Sequence, residues 1–159
     1  MKRLHVSIAE QVLRLMEDGH TLAAWSVSTA LKGAGECSGS EQTPRGHHVV
    51  RARIGAGMPT GTVFRGRRPT GEVWTPELQA QFPGRDWILT RILWLSGTEP
   101  GRNRLGSCDS MRRYIYIHGT PDTEPMGEPR SHGCVRMRNA DIIDLFEQVS
   151  PYMPVLIEE

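Results

Sequence analysis

Hydrophobic and polar residues alternate in short runs along this chain, and turn residues separate the runs. The first part contains three such segments, at residues 3–8, 11–17 and 20–28. Periodicity alone favours a helix here, because four apolar residues recur at helical spacing: Ile8, Val12, Leu15 and Met16. The pair Asp18-Gly19 is a strong hairpin signal and favours strands instead. We therefore predict three strands.

The rest of the chain reads as further strands separated by loops that are rich in glycine and proline. Strands are predicted at residues 47–54, 62–64, 87–95, 114–117 and 155–157. Loops are predicted at residues 33–40, 55–71, 97–110 and 121–130. Loops of this length in a small domain tend to line a functional site.

Two helices interrupt this pattern. Thr75 followed by Pro76 is a typical helix start and predicts a short helix that runs towards Gln81. Asn139 is placed to cap a longer C-terminal helix from residue 140 to about residue 149. Its predicted apolar stripe consists of Ile142, Leu145, Phe146 and Val149.

Composition is that of an ordinary globular domain. The chain has 159 residues, 38% of them hydrophobic and 23% charged, so we predict one mostly-β domain over residues 1–159 with one C-terminal α-helix. The net charge of +1 gives no reason to expect nucleic acid or a membrane as partner. Polar residues interrupt the apolar run that a secretory signal needs after Lys2 and Arg3. We expect a cytoplasmic location, or a periplasmic one if a leader has been removed.

Cysteine usage argues against disulfides and metal. Cys37, Cys108 and Cys134 are odd in number and form no C-x-x-C pair. A zinc site from His118 and His132 with two of these cysteines, Cys108 and Cys134, would match none of the usual ligand spacings. We expect neither a metal nor a cofactor.

Two motifs carry the candidate chemistry. One reads Ser131-His132-Gly133-Cys134-Val135-Arg136-Met137, and the other, His118-Gly119-Thr120, follows a predicted strand. A cysteine in a turn of small residues, together with a histidine at a strand end, is what a cysteine acyl-transfer enzyme needs. His118 can accept the thiol proton and return it to a leaving amine. The backbone carbonyl of Gly119 is the candidate group for orienting the imidazole.

The turn around the cysteine suggests how the reaction would be supported. Gly133 lets the backbone approach a substrate closely, and the N–H groups of His132, Gly133 and Cys134 are candidates for binding an oxyanion. Arg136 can pair with a substrate carboxylate. An imidazole or backbone dipoles nearby lower a thiol pKa. We therefore expect Cys134 to be ionised and to be alkylated before the other two cysteines.

Arginines cluster in sequence around the two motifs. They form either a solvated surface, balanced by nearby acidic residues, or a pocket for an anionic substrate. The residues concerned are Arg102, Arg104, Arg112, Arg113, Arg130, Arg136 and Arg138.

These residues resemble the YkuD-type L,D-transpeptidase family. The specific matches are Ile117-His118-Gly119-Thr120 and the cysteine motif, with the gap between them that the family has. Weaker matches are Val27-Ser28-Thr29, Thr43-Pro44-Arg45-Gly46 and the Asp18-Gly19 turn, so the resemblance covers nearly the whole chain. It implies a single β-sandwich catalytic domain with long active-site loops.

The resemblance also implies roles for the motif residues. Cys134 would be the nucleophile and His118 the general base and acid, oriented by the carbonyl of Gly119. The residues implied to form the oxyanion hole, or to hold the site and the substrate, are Ser131, His132, Gly133 and Arg136.

The implied substrate is the stem peptide of peptidoglycan, cleaved between the L-centre of its third residue, usually diaminopimelate, and the terminal D-Ala. We expect an L,D-carboxypeptidase of peptidoglycan recycling, in which water resolves a thioester. One alternative is an L,D-transpeptidase that forms cross-links or exchanges the terminal D-amino acid. Another is a non-catalytic muropeptide-binding domain in which Cys134 is structural. The resemblance further implies a carbapenem as covalent inhibitor.

Overall fold

Ten strands and two α-helices follow one another in the computed structural model, which describes residues 1–159. The strands are β1 (Lys2–Ser7), β2 (Val12–Glu17), β3 (His20–Ser26), β4 (Gly46–Ile54), β5 (Thr62–Arg65), β6 (Arg68–Val73), β7 (Ile88–Gly97), β8 (Tyr116–Gly119), β9 (Val135–Met137) and β10 (Pro154–Glu158). The helices are α1 (Pro76–Gln81) and α2 (Asn139–Gln148). The predicted mostly-β fold with a C-terminal helix is confirmed. Neither helix has the length and apolar character needed to cross a bilayer.

All ten strands belong to one sheet. Its order is β3-β2-β1-β10-β4-β7-β5-β6, and β8 pairs with both β7 and β9. The predicted hairpin at the start of the chain is present, with Asp18 and Gly19 as its two tip residues. Their φ angles of 49° and 81° are those of the tight turns that match strand twist.

The sheet curves around one main core. Leu13 and Leu15 of β2, near one end of the strand order, belong to the same buried cluster as Ile117 of β8 and Val135 of β9. Strands so far apart in the order can share a core only if the sheet folds over it, which produces the two facing layers of a sandwich. Helix α2 covers this core with apolar residues one turn apart, Ile142 with Leu145 and Phe146.

Three strand predictions need correction. The strand predicted at residues 114–117 begins at Tyr116 and includes His118 and Gly119, because Tyr114 lies in a turn with φ of 57°. Strand β6 was predicted as loop, since Pro69 and Gly71 interrupt an exposed edge strand with no apolar alternation. The three-residue strand β9 was also missed, being too short to show a period.

The start of the C-terminal helix differs from the prediction as well. Asn139 is the first helical residue, and its side chain does not cap the helix. Its amide instead donates to Asp122 at 3.2 Å, and its carbonyl oxygen accepts from the Thr90 hydroxyl. The Asp122 carboxylate also accepts the backbone N–H of Asn139. Burial of this amide explains why a residue typical of caps lies inside the helix.

Candidate active site

Strands β8 and β9 bring the two sequence motifs together. They pair in parallel, with His118 opposite Arg136 and Gly119 opposite Met137. This register places Cys134, just before β9, beside the first residue of β8. The backbone N–H of Tyr116 donates to Cys134 Sγ at 3.3 Å. The pairing of β8 with β9, on either side of the predicted loop at residues 121–130, therefore sets the relative position of histidine and cysteine.

Both candidate catalytic side chains line a single cavity of about 490 Å³. This volume is within the range of small-molecule and short-peptide sites. Its wall also includes Tyr116 of β8 and three more residues of the cysteine motif, Ser131, His132 and Arg136.

The imidazole of His118 is buried and its tautomer is fixed. Its Nδ1 donates to the carbonyl oxygen of Gly119 at 2.6 Å, so Nδ1 carries the proton and Nε2 has the lone pair. Burial lowers the pKa of His118, and the negative charge of Asp86 partly opposes this. The neutral imidazole is therefore a base with Nε2 as its accepting atom.

Gly119 occupies a position where no side chain fits. A Cβ atom there would lie 2.6 Å from the carbonyl oxygen of Leu89 and 2.7 Å from Oδ1 of Asn139. The absence of a side chain lets β8 approach β7 and the start of α2 closely. The carbonyl that orients His118 is thereby held between two fixed elements.

The thiol of Cys134 is partly exposed to the cavity but surrounded by protein on most sides. Burial raises its pKa to about 12, although the N–H of Tyr116 acts in the opposite direction. The thiol donates to the carbonyl oxygen of Tyr114 at 3.3 Å. Sequence reasoning expected an ionised sulfur. Burial, a tertiary effect, reverses that expectation and favours a neutral thiol beside a neutral imidazole.

Two side chains hold the turn that precedes the cysteine, one from the turn itself and one from a distant segment. The Ser131 hydroxyl donates to the carbonyl oxygen of Cys134 at 2.6 Å, and it accepts the N–H of Gly133 at 3.1 Å. The Thr43 hydroxyl donates to the carbonyl oxygen of Gly133 at 2.9 Å. Gly133 has a φ of 133°, and a Cβ atom there would lie 3.2 Å from the carbonyl oxygen of Gln42. Only glycine meets both conditions without strain.

These contacts change the expected set of oxyanion donors. The N–H of Gly133 is already engaged by Ser131, which removes it from the predicted set. The backbone N–H groups of His132 and Cys134 form no hydrogen bond within the protein. They are the two candidate donors that this turn retains for a substrate oxygen.

Arg136 is largely buried and bound to a residue that sequence reasoning missed. Its guanidinium donates to Oδ1 of Asp86 at 3.2 Å, and Nδ1 of His132 lies 3.8 Å from the other carboxylate oxygen. Asp86 lies between α1 and β7, far from both motifs in sequence, and no spacing signal marks it. Arg136 was expected to pair with a substrate carboxylate, but a carboxylate of the protein already occupies it.

The cluster of arginines in sequence is only partly a cluster in space. Arg113 and Arg136 line the cavity. Three others form surface ion pairs with neighbouring acidic residues: Arg102, Arg130 and Arg138. Arg67, which the sequence did not single out, also lines the cavity.

The two remaining cysteines lie outside the cavity that contains Cys134. Cys37 is exposed and Cys108 is half-buried, and both are free thiols. The structure gathers no group of three or more histidine, cysteine or acidic side chains at metal-binding distance.

Fold and site together define a class: a mostly-β domain in which paired strands bring a thiol and an imidazole into one cavity. The chain belongs to the YkuD family, since the model of the L,D-transpeptidase catalytic domain matches residues 1–157.

Individual relatives agree with this assignment. The probable L,D-transpeptidase YbiS of Escherichia coli K12 is 35% identical over 86 residues, which cover 52% of this chain and 27% of YbiS. The fold is similar to an L,D-transpeptidase from Mycobacterium smegmatis, with a TM-score of 0.62 at 14% identity. It is also similar to L,D-transpeptidase 3 of Mycobacterium tuberculosis in complex with a faropenem-derived adduct, with a TM-score of 0.61 at 15% identity. The chain is covered to 99% in both cases, but spans only 58% and 60% of those two structures.

Proposed function

We propose that this protein is a cysteine acyl-transfer enzyme that acts on peptidoglycan stem tetrapeptides and releases the terminal D-Ala as an L,D-carboxypeptidase. One observation carries the proposal: His118 on β8 and Cys134, immediately before the parallel neighbouring strand β9, line the same cavity. The imidazole is neutral with a defined accepting nitrogen, and two N–H groups of the cysteine turn are without partners. Membership of the YkuD family supports the choice of substrate.

The first half of the reaction is acylation. As Cys134 Sγ bonds to the carbonyl carbon of the third residue, Nε2 of His118 accepts the thiol proton. Proton transfer accompanies attack because the resting thiol is neutral. The N–H groups of His132 and Cys134 bind the oxygen that becomes negative. Collapse expels the amine of D-Ala, which takes the proton from Nε2, and a thioester remains.

The second half depends on the acceptor. Water gives a proton to Nε2 of His118 as it attacks the thioester carbonyl, and the departing sulfur takes that proton back. The products are a tripeptide and the restored thiol. A cavity of about 490 Å³ accommodates one short peptide, which supports water, rather than a second stem peptide, as the acceptor.

A second candidate function is L,D-transpeptidation. A neighbouring polar cavity of about 370 Å³ shares Asp86, His132 and Arg136 with the first and also includes Glu124 and Arg130. A second substrate in this cavity would bring its amine to the thioester. The names of the relatives also favour this alternative.

Product analysis tests the proposal. The protein is incubated with a disaccharide-tetrapeptide, and we expect tripeptide and free D-Ala by mass spectrometry. Cys134→Ala should abolish release, whereas the matched variant Cys37→Ala, which changes an exposed cysteine outside the cavity, should retain it. Excess D-Met or glycine discriminates the two activities: exchange products indicate transpeptidation, and hydrolysis alone indicates carboxypeptidation. Binding of the tetrapeptide without release would establish the third alternative, a non-catalytic muropeptide-binding domain.

A β-lactam provides an independent test of the nucleophile. We expect a carbapenem to add to Cys134, in keeping with the faropenem-derived adduct of the M. tuberculosis relative. Intact-mass spectrometry should show one adduct on the unmodified protein and none on Cys134→Ala. Absence of the adduct from both proteins would contradict the proposed role of this sulfur.

A further inference from the structure

The tip of the β5–β6 hairpin places an arginine in an unusual backbone conformation. Gly66 and Arg67 are the two residues between these strands, with φ angles of 56° and 65°. Two-residue turns of this kind need positive φ at both positions, which glycine, asparagine and aspartate adopt readily. An arginine pays a conformational penalty there. Strain of this sort persists where the surroundings fix it and often marks a functional residue.

The surroundings do fix Arg67. Its guanidinium lies 4.6 Å from the ring centroid of Trp94 and 4.8 Å from that of Tyr114. It also donates to the hydroxyl of Tyr116 at 3.1 Å. Two aromatic rings and one hydroxyl therefore hold a planar, forked donor group in the wall of the cavity that contains Cys134. A donor group held in this way loses little freedom when it binds an anion.

Of the three arginines that line the cavity, Arg67 alone combines the absence of a carboxylate partner with four unused N–H donors. Arg136 is already bound to Asp86. Arg113 donates to the carbonyl oxygens of Gly35 and Gln42. Arg67 has no carboxylate partner, and its contact with Tyr116 uses only one of its five N–H donors.

We propose that Arg67 is a specificity-determining residue that binds a carboxylate of the substrate through a charge-assisted, forked pair. The inference rests on the proposed function for the identity of the substrate. Tyr116 links the two roles, because its hydroxyl positions Arg67 while its backbone N–H contacts Cys134 Sγ. A carboxylate bound at Arg67 is thereby positioned relative to the nucleophile.

A stem tetrapeptide offers two carboxylates near the scissile bond, one at the C-terminus of D-Ala and one on the side chain of diaminopimelate. Both present the same chemistry to a guanidinium. Two modified substrates distinguish them: a tetrapeptide with the terminal carboxylate amidated, and one with lysine in place of diaminopimelate. Removing the carboxylate that Arg67 binds should lower kcat/KM in the unmodified protein. It should not lower kcat/KM any further in a protein that already lacks Arg67.

The experiment compares unmodified protein with Arg67→Gln on all three tetrapeptides. We expect kcat/KM for the natural tetrapeptide to fall about 10- to 100-fold in Arg67→Gln. With the unmodified protein, kcat/KM for one of the two modified substrates should be lower than for the natural tetrapeptide by the same factor. With Arg67→Gln, kcat/KM for that modified substrate should equal kcat/KM for the natural tetrapeptide. Arg68→Gln is the matched control, since Arg68 is on the same hairpin and exposed, outside the cavity. It should leave kcat/KM unchanged.

Two outcomes would overturn the inference. One is a kcat/KM within twofold of the unmodified protein in Arg67→Gln. The other is an equal loss on all three tetrapeptides, which indicates a structural role. Arg67→Gly checks folding separately, because glycine suits the turn, and its thermal midpoint should not fall below that of the unmodified protein.

Binding measurements keep this test independent of turnover. Calorimetry on Cys134→Ala, with and without Arg67→Gln, measures affinity for the three tetrapeptides. If the unmodified protein releases no D-Ala but binding still depends on Arg67 and on one carboxylate, the proposed catalytic function fails and this inference stands. If D-Ala is released and affinity is the same with and without Arg67→Gln, the inference fails alone.

Discussion

Alkylation of Cys134 tests whether its thiol is protonated in the free protein, as the burial of the sulfur implies. The perturbation is the double change Cys37→Ser and Cys108→Ser, which leaves Cys134 as the single thiol. Neither replaced residue lines the cavity that contains Cys134 and His118. The variant is treated with iodoacetamide between pH 6 and pH 10, with N-acetylcysteine as an exposed reference thiol.

The magnitude follows from the two pKa values. An ordinary thiol has a pKa of about 8.5 and is roughly 10% ionised at pH 7.5. Burial raises the pKa of Cys134 to about 12, which leaves roughly 3 × 10⁻⁵ as thiolate, about 3,000-fold less. The more basic thiolate is intrinsically more nucleophilic, and this raises its reaction rate by about 40-fold, which offsets part of the loss in thiolate fraction. We therefore expect Cys134 to react about 100-fold more slowly than the reference at pH 7.5.

The shape of the profile is as informative as the rate. With a pKa of about 12, the rate should rise tenfold per pH unit throughout the range, whereas the reference levels off above its own pKa. Labelling is followed by intact-mass spectrometry. A plateau below pH 9, or a rate above that of N-acetylcysteine at neutral pH, would refute the neutral-thiol description and restore the ionised cysteine that the sequence predicts.

Three further perturbations probe the site and the fold. His118→Gln should slow acylation of Cys134 by about 10²–10⁴, measured by adduct formation with a carbapenem; an unchanged rate would remove His118 from its role as base. Burial lowers the pKa of His48 to about 4, so the unfolded chain binds a proton at this residue more readily than the folded protein does. The free energy of unfolding should therefore fall by about 3 kcal/mol as the pH drops from about 6.5 to 4. His48→Gln should remove that part of the pH dependence of the urea midpoint, and an equal dependence in both proteins would contradict it. Gly133→Ala should cost about 1–3 kcal/mol and lower turnover, because the added Cβ meets the carbonyl of Gln42; unchanged thermal midpoint and activity would contradict the geometry of the cysteine turn.

Much of the fold can be predicted because its signals are local. The turn at Asp18-Gly19 and the alternation on either side identify the first hairpin without any tertiary information. Strand β6 has no such signal, because an exposed edge strand buries no face and so imposes no alternation on its residues. Asn139 shows the opposite failure, in which tertiary contacts override a strong local preference for a cap position.

The residues of the site also fall into two groups, those that local sequence identifies and those that only tertiary contacts bring to the cavity. His118 and Cys134 can be singled out from sequence because their residue types and flanking glycines are chemically distinctive. Asp86 and Arg67 cannot, since each reaches the cavity through contacts with distant segments. The protonation state of the thiol is equally beyond the sequence, because it depends on how completely neighbouring strands enclose the sulfur.

The orientation of the imidazole by the main chain has a consequence for how the site can change. The acceptor for Nδ1 is the carbonyl oxygen of the very next residue, Gly119, and no exchange of one amino acid for another deletes a peptide oxygen. Substitutions can therefore change the connecting loops without removing the third member of the proposed catalytic set. An engineer who transplants this arrangement into another scaffold needs to copy two backbone segments, the end of β8 and the turn before β9, rather than three separate side chains.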